Sequence, residues 1–128
     1  MSVDLKEKAD SLLSATTLSL AAAAATTLYT VPAGKRCVIT KAILVSAGTP
    51  FGGTSALTIG QVGALTDFLD TQTVSNLDAE YDAVIMTPVP NATPVKQKSY
   101  AAATVIQANV TTGNGVAGCT LYLFGFLY

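Results

Sequence analysis

From residue 99 to residue 128 the chain carries no charged side chain, and its last ten residues, Cys119-Thr120-Leu121-Tyr122-Leu123-Phe124-Gly125-Phe126-Leu127-Tyr128, are apolar or aromatic at both odd and even positions. In a strand, successive side chains point to opposite faces, so both faces of this segment must be covered. One face can meet a core. The other needs a covering segment or another subunit, because an exposed aromatic patch of that size would aggregate. Leu121, Tyr122, Leu123, Phe124, Phe126 and Tyr128 are therefore expected to pack a core or an oligomer contact, and a homo-oligomer is the economical solution.

The remaining composition narrows the function classes. At 128 residues the chain is sized for one domain, half of it is apolar and the mean hydropathy is +0.47, which excludes a disordered chain. Seven Lys and Arg against eight Asp and Glu leave no basic field for phosphate backbones or an anionic membrane, so no nucleic acid and no membrane is expected as partner. The chain has no His, and with it go the usual general base, the commonest metal ligand and most familiar catalytic constellations. No catalytic residue and no cofactor is expected. Residues 11–34 are uncharged, but the preceding charges nearly cancel, unlike those of a secretory leader, and many Ser and Thr dilute the stretch as a membrane span. We expect no signal peptide.

Along the chain the pattern after residue 27 is β. Runs at 27–31, 36–46, 54–62, 83–87, 100–110 and 116–128 are punctuated by the glycine- and proline-rich stretches at 32–35, 48–53, 60–63, 87–91 and 112–115. Short strands at this spacing indicate an all-β fold, with a jelly-roll-like β-sandwich as the first choice of topology. Residues 67–82 form the one long acidic connection, with room for a helical turn. Residues 1–13 read as a short helix, because Leu5, Ala9, Leu12 and Leu13 fall at i, i+4, i+7 and i+8 and Asp4 to Lys8 is a favourable i,i+4 pair. Such a helix is unstable alone and must dock, so these four residues are expected to contact a partner. The Ala, Ser and Thr tract that follows reads as an extended arm, giving an N-terminal helix and arm over 1–26 and a sandwich over 27–128.

Several motifs invite a chemical reading. Gly113, Gly115 and Gly118 match the spacing of a dinucleotide loop, but a β run follows where a helix is required, so Asn114-Gly115 reads as a hairpin turn. Asp67, Asp70, Asp78, Glu80 and Asp82 are hard-cation ligands by type, yet lack the spacing of a calcium loop and read as a solvated surface loop, with no metal expected. The same group as glycosidase carboxylates has only Tyr81 and Phe68 nearby for sugar stacking, and no Trp. Asn91 and Asn109 head glycosylation sequons, which mean little without a leader. Lys35, Arg36 and Lys41, with Lys96 and Lys98, read as rim charges that would orient the protein on an acidic partner. Cys37 and Cys119 are too few for a disulfide framework and read as buried thiols. In a jelly roll the first long strand lies beside the last, so whether they pair stays open.

Residues 28–44, Leu-Tyr-Thr-Val-Pro-Ala-Gly-Lys-Arg-Cys-Val-Ile-Thr-Lys-Ala-Ile-Leu, resemble the opening strands of small all-β virion proteins of tailed bacteriophages, of the capsid decoration or cement type. The resemblance implies a jelly-roll-like sandwich, commonly a homotrimer, seated on the major capsid protein or other virion subunits, with no catalytic residues. Its function would be to bind and stabilise an assembled phage shell, and its location the virion. The alternative is a carbohydrate- or receptor-binding module of a tail or fibre, using loops at 50–53, 67–82 or 88–94.

Overall fold

Alternating β-branched and apolar residues broken by Gly and Pro dictate short strands, and nine occur among the residues that the computed structural model describes, 10–46, 55–74, 77, 81–88, 99–113 and 118–128. They are β1 (Ser11–Leu18), β2 (Ala24–Thr30), β3 (Cys37–Ser46), β4 (Ala56–Gln61), β5 (Ala64–Thr73), β6 (Ala83–Met86), β7 (Ser99–Tyr100), β8 (Val105–Thr112) and β9 (Cys119–Leu127). No helix is present among the described residues, and so none long and apolar enough to cross a membrane. The all-β expectation holds.

Two antiparallel sheets form a sandwich. The first runs β1-β9-β3-β6, with β7 also on β3, and the second β2-β8-β4-β5. Between them lie Leu18, Leu20, Ile39, Leu44, Leu57, Ile59, Ile106, Leu121 and Leu123, all under 2% exposed. Each such side chain contributes about 1.5–3 kcal/mol by leaving water, so this layer holds the sheets together. A two-residue turn at Val62 and Gly63 joins β4 to β5, and Gly63 supplies the positive φ of 90° that the turn needs.

The N-terminal reading is corrected where the structure describes it. Leu12 and Leu13 lie on the edge strand β1, paired with β9, and not on a helix; Leu5 and Ala9 fall outside the described residues. The physical reason is that β9 needs a hydrogen-bond partner on its free side, and a neighbouring strand satisfies a whole row of its N–H and C=O groups. The tract expected as an arm is β1, the turn at 19–23 and the start of β2, with Leu18 and Leu20 buried in the core. The expected boundary at 26/27 falls inside β2.

Three further expectations change. The run at 100–110 is interrupted after Tyr100, where residues 101–104 turn with Ala103 at φ 67°, so that β7 joins the first sheet and β8 the second. The acidic connection at 67–82 is in its first half the strand β5, held by buried Phe68 and Leu69, with Val74 and Leu77 also buried beyond it. Asn114 and Gly115 lie outside the described residues, but β8 and β9 do not pair with each other as a hairpin would require. β8 is flanked by β2 and β4, and β9 by β1 and β3, so the two strands belong to different sheets.

Candidate functional site

The strand alternation that builds the core also builds the opposite, outward side of the first sheet. In β9, Leu121 and Leu123 point inward and are fully buried, while Thr120, Tyr122, Phe124 and Phe126 point outward and are half-buried. Register sets their neighbours. Phe124 sits between Leu12 of β1 and Lys41 of β3, Tyr122 between Ala15 and Ile43, and Phe126 beside Val38. Ile43 in turn faces Ile85 of β6. Leu12, Ile85 and Tyr128 are 53%, 65% and 46% exposed, so this is a broad apolar face open to solvent in the single chain.

One formal charge lies within it among the described strand residues. A register shift between Ile39 and Lys41 places Lys41 on the outward side, and its ammonium stands 5.0 Å from the centre of the Phe124 ring and 3.4 Å from the Asp10 carboxylate. Thr40 donates its hydroxyl hydrogen to the same carboxylate. At the far end of β9, the Phe126 and Tyr128 rings are 6.2 Å apart, and Ser99 bonds both the Tyr128 hydroxyl at 2.6 Å and Arg36 Nε at 3.0 Å. Ser99, then Arg36, lowers the Tyr128 phenol below its ordinary range.

The second sheet presents a contrasting outward side. Gln107 and Asn109 alternate with the buried Ile106, Ala108 and Val110, and Gln107 faces Thr27, to whose hydroxyl its amide donates. The outward side of β8 is thus polar where that of β9 is aromatic, although Thr58 of β4, opposite Asn109, is itself buried.

Residues considered for chemistry are placed otherwise. Among the described residues no group of three or more His, Cys, Asp or Glu side chains comes together. Asp67 accepts from Tyr100 and Gln61 between the sheets, and Asp70 caps the Thr71 N–H. Asp78, Glu80, Asn91, Lys96 and Lys98 and the loop at 50–53 lie outside the described residues. Asn109 is half-buried on β8 and Lys35 is exposed in the β2–β3 turn. Cys37 and Cys119 are buried free thiols. Val38, Ile43 and Ile85 were missed as surface residues by the sequence reading; the alternation in β3 was the signal, but it needed the register shift to be read correctly.

Fold and surface together define an all-β sandwich protein whose distinguishing feature is an exposed apolar outer face on the first sheet. Neither protein-family descriptions nor curated proteins match the sequence. Among solved structures, the chain is similar in fold to one described as the cyanophage Pam1 capsid asymmetric unit, with a TM-score of 0.55 and 17% identity, over 92% of this chain and 84% of that one.

Proposed function

We propose that the chain is a structural virion protein of a tailed bacteriophage, a decoration or cement subunit that binds an assembled shell and carries out no reaction. The observation that carries this reading is the aromatic outer face of the first sheet on a fold similar to a capsid unit. The strand orders β1-β9-β3-β6 and β2-β8-β4-β5 support describing the sandwich as a jelly roll, in which each sheet interleaves strands from both ends of the chain.

The mechanism is mass action. A subunit that binds the assembled shell but not its dissociated proteins stabilises the shell by linkage, and the gain grows with free subunit concentration. Tyr122, Phe124 and Phe126 supply large apolar area at low entropic cost, and Lys41 beside Asp10 sets orientation. The major capsid protein is the proposed partner, with copies of the chain arranged as a homotrimer in keeping with the resemblance of residues 28–44.

Co-sedimentation of the full chain with preassembled shells, followed by heating of the decorated particles, tests the reading. Saturable attachment and a raised disruption temperature are expected. Attachment to cell-surface glycan with none to shells would favour the tail or fibre module instead.

A further inference from the structure

The two edge strands on one side of the sandwich differ in kind from those on the other. β1 ends the first sheet and β2 the second, and the two touch; β6 and β5 end them on the opposite side. β5 carries Asp67 and Asp70, and Asp82 directly precedes β6, whereas residues 11–31, which include all of β1 and β2, hold neither a charge nor a proline. Charge and proline are the usual protection of an edge, because about every second residue there presents an unpaired N–H and C=O to solvent. Among the described residues nothing pairs with β1 on the side away from β9.

Three features fit that edge to a second copy of itself. An uncharged strand meets its own copy without like-charge repulsion and offers nothing to complement a charged partner. From Ser14 to Leu18 the ladder to β9 runs without a register shift, so the opposite side of β1 is regular over the same residues. Ser14 Oγ, on the core side of β1 opposite Leu123, is buried with no hydrogen-bond partner. An antiparallel neighbour centred on Ala15 sets Ser14 opposite Thr16 of the second copy, and Thr16 opposite its Ser14, which gives each orphaned hydroxyl a partner. Ala15, exposed and on the outward side, then meets itself with no bulk in the way.

We propose that β1 pairs antiparallel with β1 of a second copy about a two-fold axis at Ala15, extending the first sheet across two chains. The eight residues of β1 are about 25 Å long and the stacked sheets with their side chains about 20 Å thick. Meeting along this side thus buries about 1,000 Å² over both copies, the lower bound of a specific interface. The contact consumes the β1 edge of both chains, so it closes instead of propagating into a fibre. The homotrimer proposed above would use other surfaces, and this contact would then join one trimer to the next.

The test uses the full chain alone, with no shell present, so its outcome is independent of the docking reading. A short bismaleimide should join Ala15→Cys chains into pairs at least about tenfold faster than Thr71→Cys chains, whose residue is exposed on the other edge, β5. The native Cys37 and Cys119 are buried. Ala15→Lys sets two ammonium groups face to face and should lower the sedimentation mass at micromolar concentration at least about twofold. Ile85→Asp, at the far end of the aromatic face, should leave that mass unchanged. A monomeric parent, equal crosslinking at the two positions, or an unaltered mass for Ala15→Lys each overturns the proposal. Dissociation by Ile85→Asp also overturns it, by assigning self-association to the aromatic face. Should Ala15→Lys lose its cooperative melt, the crosslinking ratio decides.

Discussion

The Tyr100 hydroxyl donates a 2.8 Å hydrogen bond to Asp67 Oδ1, tying β7 of the first sheet to β5 of the second. Tyr100 is 2% exposed, and Asp67 also accepts from the Gln61 backbone at 3.2 Å and its side-chain amide at 2.7 Å. Burial, and then the bond to Asp67, push the phenol far above its usual range, so it remains a donor at any pH the fold survives. A Cβ at Gly60 would come within 2.7 Å of the same carboxylate, so the strand passes too close for any larger residue. Tyr100→Phe removes one charge-assisted bond and should cost about 1.5–3 kcal/mol in urea unfolding. Asp67→Ala removes the acceptor of all three and should cost more. A double-mutant cycle should return a coupling above about 0.5 kcal/mol, and strict additivity would show that the bond does not tie the sheets.

Cys37 and Cys119 lie on neighbouring strands, yet Cys37 faces Leu127 and Cys119 faces Ser46, so the antiparallel register sets them about 30 Å apart along the ribbon. They are free, and burial pushes each thiol up to about 11. A thiol whose folded pKa is raised contributes stability in full below its unfolded value, here 9.0, and loses it as pH rises through the folded one. We expect stability to fall between pH 9 and 11 by about 2 kcal/mol per thiol. Replacing both by alanine should lower stability at pH 7 but flatten this alkaline decline. An unchanged slope would show that other groups cause it. Native protein at pH 8 should also react with a thiol reagent far more slowly than unfolded chain.

Gly125 tests how closely β3 and β9 approach. A Cβ there would stand 2.2 Å from the Val38 carbonyl oxygen and 3.0 Å from Ile39 Cα, both backbone atoms that cannot step aside. Gly125→Ala should therefore open the central ladder of the first sheet and cost about 3 kcal/mol or more, which a shift in urea midpoint would show. Gly34, with φ 74° and open space around its Cβ, carries a backbone penalty alone, and Gly34→Ala should cost about 1–2 kcal/mol. Equal effects at the two positions would mean that the close approach has no energetic weight.

Strand periodicity made β3, β4, β6 and β9 legible, because each is a short apolar run bounded by glycine or proline. β1 was not. Leu12 and Leu13 satisfy a helical spacing as well as a strand, and only the unfilled edge of β9 decides between them. Lys41 shows a second limit: simple alternation from Cys37 and Ile39 turns it inward, and one register shift before it reverses the sign. The two-sided apolar character of β9 was legible because only Thr120 and the Tyr122 hydroxyl interrupt it. Which residues complete the outer face depended on pairing partners from β1, β3 and β6, and such long-range register is not written in any local window.

The proposed docking on the outer face of the first sheet makes the sharpest distinction between the two sides of the sandwich. Tyr122 and Phe124 are half-buried and outward, so Tyr122→Asp with Phe124→Asp removes apolar area from the face without opening a cavity between the sheets. The folded chain should keep a cooperative melt, while attachment to preassembled shells weakens by at least about 30-fold, the equivalent of losing roughly 2 kcal/mol of buried aromatic contact. The control is Gln107→Asp with Asn109→Asp, which adds the same two charges to the outward side of the second sheet, where Gln107 already meets Thr27. That variant should attach as the parent does, since the proposed contact lies on the other sheet. Equal loss in both variants would make net charge the cause, and loss only in the second would assign attachment to the polar side.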